Sequence, residues 1–393
     1  MFYYVLLTLA VAFLFFVLIP GLGAFSVRAK WRRFRSHMIE ASTYSIMDYP
    51  VLSSENEGSA FRFFGTLEAI QDTNRIWMRS GDVSAAADLE DVPVYILPSM
   101  SSGETLSDVL TDDEPQSIPW KQISSLPAGV KLFVAGIARP EDGLALFRSH
   151  PRVPLLVVIF DGARETILRR AVRSGRQRNE YWNQFTLVSL ITGSFSLSLL
   201  TYLFLANPAT RIPALIALSL SVAPLAVLLP PGVVFLYLYK SFWTRARSLR
   251  AQRDLHRLPL RYFKANFASG PEGQAVSVLP NGERYVMIGG DPDVLKSRII
   301  PNHRDALLPE RLTISPSSRE AYLFGSSLGD SSAITLPTDP MADLIMILGN
   351  PEENAMRCSK QAMLFTLLSG AFLSMDLFPN LILLLFLFRT LIR

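Results

Sequence analysis

One group of residues in the chain has the spacing of a covalent catalyst. Gly325, Ser327 and Gly329 form the pattern G-x-S-x-G, and an apolar run precedes it. In hydrolases this pattern places a serine nucleophile on a sharp turn, and the catalytic acid and histidine follow later in the chain. No histidine follows His303. We therefore interpret the glycines as turn residues, and a membrane serine hydrolase using Ser327 is a remote alternative.

Metal and cofactor chemistry is also disfavoured by the residue types. Cys358 is the only cysteine, so neither an intrachain disulfide nor a cysteine-based zinc site can form. The four histidines stand far apart, at His37, His150, His256 and His303. No zinc-protease, P-loop or dinucleotide-binding pattern occurs. We predict no cofactor, no metal and no enzymatic activity.

Asp376 is the ionisable residue in an unusual setting, because it interrupts a long apolar block near the end of the chain. A carboxylate at membrane depth is costly and is by default functional. Asp376 is therefore the candidate functional intramembrane residue. The alternative is that Pro379 and Asn380 break the helix, so that Asp376 reaches the membrane interface. The lack of a basic partner deep in another apolar block favours this second interpretation.

The apolar residues are concentrated in blocks that are long enough to cross a bilayer. The chain is 49% hydrophobic and 18% charged, whereas about a quarter of residues are charged in soluble domains. A span needs about 20 apolar residues. We predict about four transmembrane helices, at residues 1–26, 184–206, 212–240 and 361–391. The last is either one span kinked near Pro379 or a hairpin.

Two soluble regions, residues 27–183 and 241–360, separate these spans. Both contain short alternating or apolar runs bounded by Gly, Asn, Asp and Pro, which is typical of strands. In the second region, Asn281 and Gly282 join two such runs and favour a hairpin. The predicted fold class is an α+β membrane protein with two small antiparallel β-rich domains, of barrel or sandwich type.

The two halves of the chain carry the same patterns. A strand-like run ending at Gly136 precedes an apolar run from Leu155, and a run ending at Gly325 precedes one from Leu344 at the same spacing. Such self-similarity predicts an internal repeat, in which each copy is a helix, a soluble domain and a second helix.

Two further matches extend the repeat. Trp31 and Trp243 each open a basic stretch, and Gly193 and Gly370 each precede a phenylalanine by two positions in the apolar block that follows a soluble region.

Basic residues cluster beside the apolar blocks, where they mark cytoplasmic ends of spans and meet anionic lipid headgroups. The candidate lipid contacts are Arg32, Arg33, Arg35, Arg169, Arg170, Arg245 and Arg247. Since this placement explains the net charge of +4, we predict no nucleic-acid partner. The predicted location is the cell membrane, with both soluble regions in the cytoplasm.

One part of the chain resembles a known family. The residues are Leu126-Pro-Ala-Gly129 and the run to Gly136, then Glu141-Asp-Gly143, Pro154-Leu-Leu, and Glu165-Thr-Ile-Leu168 before an arginine-rich helix. They are similar to the end of the "beside a membrane" domain of mulan-type, membrane-anchored ubiquitin ligases. The resemblance implies a β-rich, membrane-proximal interaction domain between two transmembrane helices, in two copies here.

The same family departs from this chain in two respects. Its ligases carry a RING domain, which needs several Cys and His zinc ligands, and this chain has one cysteine and ends in apolar sequence. Ligase activity therefore does not transfer. The family's domain also lies away from the cytosol, whereas the arginines here predict cytoplasmic domains.

The leading hypothesis is thus a non-enzymatic multi-pass membrane protein whose duplicated domains act as a scaffold or interaction module. Its expected partners are the lipid bilayer and other proteins or further copies of the chain. The alternative is a subunit of a transporter or channel, in which Asp376 and the proline-rich third span line a path.

Overall fold

The computed structural model describes most of the first two thirds of the chain and the last helix. Between residues 261 and 348 it describes the backbone of six strands. The described residues are 2–42, 44–47, 59–71, 74–98, 115–123, 126–141, 144–162, 164, 167–177, 180–230, 232–258, 261–269, 275–278, 284–287, 299–300, 319–324, 345–348 and 351–391.

The chain forms two compact units. One is helical and contains Met1–Arg33, Arg178–Leu249 and Lys360–Arg393; the other contains Phe34–Gln177 and Arg250–Ser359 and holds the strands. The structure is therefore mixed α and β. The helices are α1 (Phe2–Phe13), α2 (Ile19–Ala41), α3 (Ile167–Gln177), α4 (Thr186–Leu205), α5 (Arg211–Ser221), α6 (Ala223–Ala226), α7 (Val233–His256) and α8 (Pro351–Leu391).

Among the described residues, three helices are long and apolar enough to cross a membrane by length and composition. They are Phe2–Ala41, in which a π-helical turn at Leu14–Leu18 joins α1 to α2, Thr186–Leu205, and Pro351–Thr390. Two of these run well beyond the predicted boundaries. The last is a continuous helix through Pro379, so the hairpin interpretation of residues 361–391 is wrong.

The predicted third span, residues 212–240, is not a single helix. It is divided into α5, α6 and the start of α7. Pro224 lies at the beginning of α6, and Pro230 lies in the turns between α6 and α7. A proline has no N–H to donate and excludes the preceding turn of helix, which accounts for the division.

The first sheet contains nine strands and closes on itself. Its strands are β1 (Ser45–Ile46), β2 (Ala60–Gln71), β3 (Arg75–Ser80), β4 (Val83–Asp88), β5 (Pro93–Ile96), β6 (Gln116–Pro119), β7 (Lys131–Glu141), β8 (Leu144–Arg148) and β9 (Leu156–Phe160). Their order is β1-β2-β3-β4-β8-β7-β9-β5-β6, and β2 also pairs with β7. Strands β2, β3, β4, β8 and β7 therefore form a closed, barrel-like ring.

The core of this barrel comes from alternating apolar residues on its strands. Strand β7 is buried over most of its length because it pairs with β2, β8 and β9. The large buried side chains in this core include Phe61, Phe63, Leu67, Ile76, Met78, Trp120, Leu132, Val134, Phe147 and Val157.

The barrel is mixed rather than purely antiparallel, which differs from the sequence prediction. Parallel pairs join β1 to β2, β4 to β8, and β5 to β9. Parallel pairing requires a crossover connection, and alternation within a strand does not reveal such long-range connections.

A second sheet of six strands follows α7. Its strands are β10 (Arg261–Ser269), β11 (Ala275–Val278), β12 (Arg284–Met287), β13 (Ile299–Ile300), β14 (Arg319–Phe324) and β15 (Ile345–Leu348). Their order is β12-β11-β10-β14-β15-β13. The predicted hairpin is confirmed, since β11 and β12 pair antiparallel.

The second sheet has the same order as part of the first, β4-β3-β2-β7-β9-β5. In both sheets the last pair is parallel and the other pairs are antiparallel. Leu132 pairs with Ile159, and Ala321 pairs with Leu348. Both residues of the second pair are numbered 189 higher than those of the first. The two sheets thus agree in order, orientation and, at this pair, register.

Candidate functional site

The candidate site lies where α8 passes the break between α6 and α7. The carbonyl of Ala226 would accept a helical hydrogen bond from residue 230, but Pro230 has no N–H. The side-chain amide of Asn380 supplies the missing donor, with Nδ2 2.8 Å from the Ala226 carbonyl oxygen. The same nitrogen lies 3.4 Å from the carbonyl oxygen of Leu229. One amide on α8 thus caps the broken helix.

Asp376 lies one turn before Asn380 on the same face of α8. Its side chain is fully buried, and its Oδ1 accepts a hydrogen bond of 3.1 Å from Asn380 Nδ2. A Cβ added to Gly232 would overlap Asp376 Oδ1. The first turn of α7 therefore approaches the carboxylate at a position where the chain has no side chain.

Two oxygen atoms of this site lack hydrogen-bond partners among the described residues. They are Asp376 Oδ2 and Asn380 Oδ1, and both are buried. Buried polar atoms are normally satisfied, and a buried carboxylate is normally paired. The arrangement can therefore accept a proton, a water molecule or a cation that oxygen ligands hold. Asp376 is buried inside the helical unit, and its position at the membrane interface stays a prediction.

The first helix contains a similar break at Pro20. The carbonyl of Phe16 lacks its helical donor there, and the Tyr181 hydroxyl donates to it at 2.8 Å. In the π-helical turn the donor to Phe15 would also be residue 20, and the Ser189 hydroxyl replaces it at 2.5 Å. At both breaks, side chains from another segment donate to carbonyls that lack the helical N–H of a proline.

The glycines of the predicted repeat have different surroundings. A Cβ on Gly193 would lie 2.6 Å from Phe15 Cβ and 2.7 Å from the Phe16 ring, so this glycine allows α4 to approach the π-helical turn closely. A Cβ on Gly370 would meet no described atom within 4 Å. The two positions match in sequence and differ in packing.

The predicted lipid contacts divide into exposed and buried arginines. Arg32, Arg33 and Arg245 are exposed, Arg247 is half-buried, and the Arg169 side chain lies outside the described residues. Arg35 is buried, with Nε 3.9 Å from Asp254 Oδ2. Arg170 is buried and donates to the Asp161 carboxylate at 2.6 Å, to the Asp161 carbonyl and to the Pro98 carbonyl. Arg35 and Arg170 therefore act inside the protein.

Several of the other sequence candidates lie outside the described residues, namely Asn281, Gly325 and Ser327. Within the part of the chain that the structure describes, no group of three His, Cys, Asp or Glu could hold a metal ion.

Sequence reasoning missed the roles of Asn380, Gly232 and Tyr181. The available signal was that a proline precedes the tryptophan of each basic stretch by about three to four helical turns, at Pro20 before Trp31 and at Pro230 before Trp243. Each such proline leaves a helical carbonyl that another segment can cap.

Comparison with known proteins identifies no relative: no family model, no curated protein and no solved structure matches the chain.

Proposed function

We propose that the chain is a non-enzymatic, multi-pass membrane protein that presents two copies of one small β domain as an interaction module. The observation that carries this proposal is the agreement in strand order, orientation and register between the two sheets. Each sheet is preceded and followed by a long helix. Two copies of a helix, sheet and helix unit would supply binding surfaces in duplicate.

Packing in the helical unit supports the membrane part of the proposal. The inward face of α4 is built largely from small and hydroxyl residues, including Thr186, Ser189, Gly193 and Thr201. Small residues that let backbones approach, and hydroxyls that bond across helices, are typical of transmembrane packing. Large apolar residues face outward on α4, and three of them, Val188, Ile191 and Phe195, are each more than 60% exposed.

Aromatic residues support a bilayer position for α4. Trp182 and Phe185 are exposed at its start, and Tyr202 is exposed near its end. A helix of 20 residues is about 30 Å long, which matches the hydrocarbon thickness. Aromatic residues at both ends of such a helix are typical of interfacial anchors.

The basic residues support a cytoplasmic position for the β domains. Arg28 forms a 2.6 Å ion pair with Glu180, so the basic end of the first helix lies beside the start of α4. Tyr4 packs against Phe204 at a ring distance of 5.3 Å, which places the first residues at the other end of α4. Because arginine-rich ends remain in the cytoplasm, we propose that the β domains lie inside.

Single-cysteine labelling tests this topology in a Cys358→Ala background. Asp91→Cys lies on the barrel, where the native carboxylate is 79% exposed, and Ala209→Cys lies in the exposed connection between α4 and α5. We expect a membrane-impermeant maleimide to label position 209 in intact cells and position 91 only after permeabilisation. The reverse pattern would contradict the proposed orientation.

Photo-crosslinking tests the interaction role. Ile70 is the large apolar side chain that is exposed on the described part of the barrel, at 42%, which makes it a suitable position for trapping a partner. A photoreactive residue at Ile70 should give a discrete crosslinked species in native membranes, either with another copy or with a second protein. Lys121, exposed on a different strand connection, is the matched control. Absence of any product from Ile70 would count against the proposal.

A further inference from the structure

The two proline breaks differ in one respect, which is the presence of a carboxylate. At the first break, the neutral hydroxyls of Tyr181 and Ser189 are enough to satisfy the carbonyls. At the second break, the Asn380 amide does the same for Ala226. Asp376 accepts one hydrogen bond from Asn380, and its Oδ2 has no partner among the described residues. Capping the broken helix therefore does not require Asp376.

The charge on Asp376 is also not balanced by a basic side chain nearby in the sequence. Residues 212–239 contain no Asp, Glu, Lys, Arg or His, and Asp376 is the single residue of these types in residues 361–388. The titratable side chains within residues 212–239 are Tyr237, which is 72% exposed, and Tyr239, which stacks on Trp243. The charged residues of α7 begin at Lys240, about two turns of helix beyond Gly232. An isolated buried carboxylate is costly, so a positive charge from solution is the remaining means of compensation.

The available ligand atoms are all oxygens. They are Asp376 Oδ2 and Asn380 Oδ1, which lack partners among the described residues. The carbonyl oxygens of Ala226 and Leu229 each already accept two hydrogen bonds, one from a backbone N–H and one from Asn380 Nδ2. Oxygen ligands suit hard cations. With a single carboxylate, the site neutralises one positive charge. Sites for H⁺ or Na⁺ in membrane proteins recur beside interrupted helices.

We propose that Asp376 and Asn380, together with the α6–α7 break, bind one small monovalent cation, which is H⁺ or an alkali-metal ion of the size of Na⁺. Binding involves no redox step. A hydronium ion gives up a proton to Asp376 Oδ2, so that one of its O–H bonds breaks, an O–H bond forms on the carboxyl group and water is released; alternatively, the metal ion exchanges part of its hydration shell for the oxygens of the site. This property goes beyond the proposed interaction role and does not depend on it. The bound cation links α8 to the break and stabilises the packed helices by mass action.

The test uses the full-length protein in lipid nanodiscs and dicyclohexylcarbodiimide, which reacts with protonated carboxyl groups in apolar surroundings. Mass spectrometry of the α8 peptide measures modification at Asp376. One series varies pH in choline chloride, and a second replaces choline with Na⁺ at fixed pH and ionic strength. Ser374→Ala is the matched control, because Ser374 is exposed on the same helix and bonds to the Gly370 carbonyl.

Binding of H⁺ and binding of an alkali-metal ion predict different labelling of Asp376. If the ligand is H⁺ alone, labelling falls by about tenfold per pH unit above its midpoint and is the same in Na⁺ and choline. If an alkali ion binds, Na⁺ also suppresses labelling at fixed pH and choline does not. Ser374→Ala should behave as the native chain, and Asn380→Leu should shift the midpoint of either curve. Absence of labelling at Asp376 at every pH, or labelling that responds to neither pH nor Na⁺, would overturn the proposal. The pH and Na⁺ series are both measured on the native chain, so the outcome does not depend on the folding of any variant.

Discussion

The side-chain amide of Asn380 donates a 2.8 Å hydrogen bond to the carbonyl oxygen of Ala226, across 154 residues of sequence. This bond joins the middle of the last helix to a carbonyl that Pro230 leaves without its helical donor. Asn380 is fully buried, so water is not available to replace it. The contact therefore stabilises the break and fixes the position of α8 beside it.

Asn380→Leu should destabilise the helical unit. The substitution keeps the side-chain volume similar and removes one of the two donors to the Ala226 carbonyl, which still accepts from the Leu229 N–H at 3.1 Å. We therefore expect the loss of a single hydrogen bond, about 0.5–1.5 kcal/mol. Hydrogen bonds between helices in membranes average about 0.6 kcal/mol and reach about 1.7 kcal/mol. The free energy of unfolding in a titration of mixed micelles with dodecyl sulfate measures the effect. Ser374→Ala, at an exposed site, should change it by less than about 0.5 kcal/mol. Equal values for the two variants would contradict the assignment.

Tyr181→Phe and Ser189→Ala should each weaken the contact between α4 and the first helix. Each variant removes one hydroxyl that caps a carbonyl at the Pro20 break, and we expect a loss of about 0.5–1.5 kcal/mol. Because the two hydroxyls cap neighbouring carbonyls of one turn, the double variant should deviate from additivity. Ser198→Ala is the control, since Ser198 is exposed and bonds within its own helix. The same unfolding titration measures all four variants, and strict additivity would indicate that the two caps act separately.

Gly193→Ala and Gly370→Ala should have effects of opposite sign. At Gly193 the new methyl group would overlap Phe15 and force α4 away from the π-helical turn, and such overpacking costs about 1–3 kcal/mol. At Gly370 the methyl group meets no described atom, and alanine favours the helix by about 0.5–1 kcal/mol. Melting temperatures in one detergent measure both variants. Destabilisation by both would show that the sequence match extends to the packing.

The arginines beside the helices should separate into two groups. Arg170→Ala should lower the melting temperature, because it removes a buried guanidinium that donates to Asp161 and to the carbonyl of Pro98. A double variant of the exposed pair, Arg32→Ala with Arg33→Ala, should leave the melting temperature within a few degrees and reduce retention of anionic lipid. Native mass spectrometry of the detergent-purified chain measures lipid retention. Loss of bound lipid in Arg170→Ala without loss of stability would restore its original assignment as a lipid contact.

The strands and long helices could be predicted from the sequence, because burial imposes a local period on them. The run around Gly136 and the run from Leu155 became β7 and β9, paired as neighbours. Strand connectivity could not be predicted in the same way, since parallel pairs such as β4 with β8 join distant segments. The alternation of apolar residues predicts which face of a strand is buried, but it does not predict which other strand pairs with it.

Only part of the candidate site could be predicted from the sequence, namely Asp376 and not the role of Asn380. Asp376 attracted attention because of its cost in an apolar block, while Pro379 and Asn380 were interpreted as a helix break. In the structure α8 continues through Pro379, whose side chain is exposed, and Asn380 turns inward. The break lies instead in the facing segment at Pro230. The sequence shows that each proline removes one backbone N–H donor from a helix. It does not show whether the helix continues, as α8 does at Pro379, or is interrupted, as the facing segment is at Pro230, because that depends on tertiary contacts.

Tyr44 should make the folded β-containing unit sensitive to alkaline pH. Burial, followed by the nearby Glu40 carboxylate, raises the pKa of Tyr44 from 10.0 to about 12. A group whose folded pKa is raised holds its proton more tightly in the folded state. Its contribution to stability is therefore complete below pH 10 and is lost as the pH rises through about 12.

Tyr44→Phe should consequently flatten this alkaline limb, because phenylalanine has no proton to lose. Melting temperatures measured from about pH 9 to about pH 12 in the native chain and the variant test the effect. Other groups, including Tyr95, whose pKa burial also raises, contribute equally to both proteins and cancel in the difference. Glu40→Gln should give an intermediate slope, since it removes the second cause of the shift and leaves the first. If Tyr44→Phe and the native chain lose the same stability over this range, Tyr44 is as accessible to ionisation in the folded protein as in the unfolded one, and its burial against the end of α2 is incorrect.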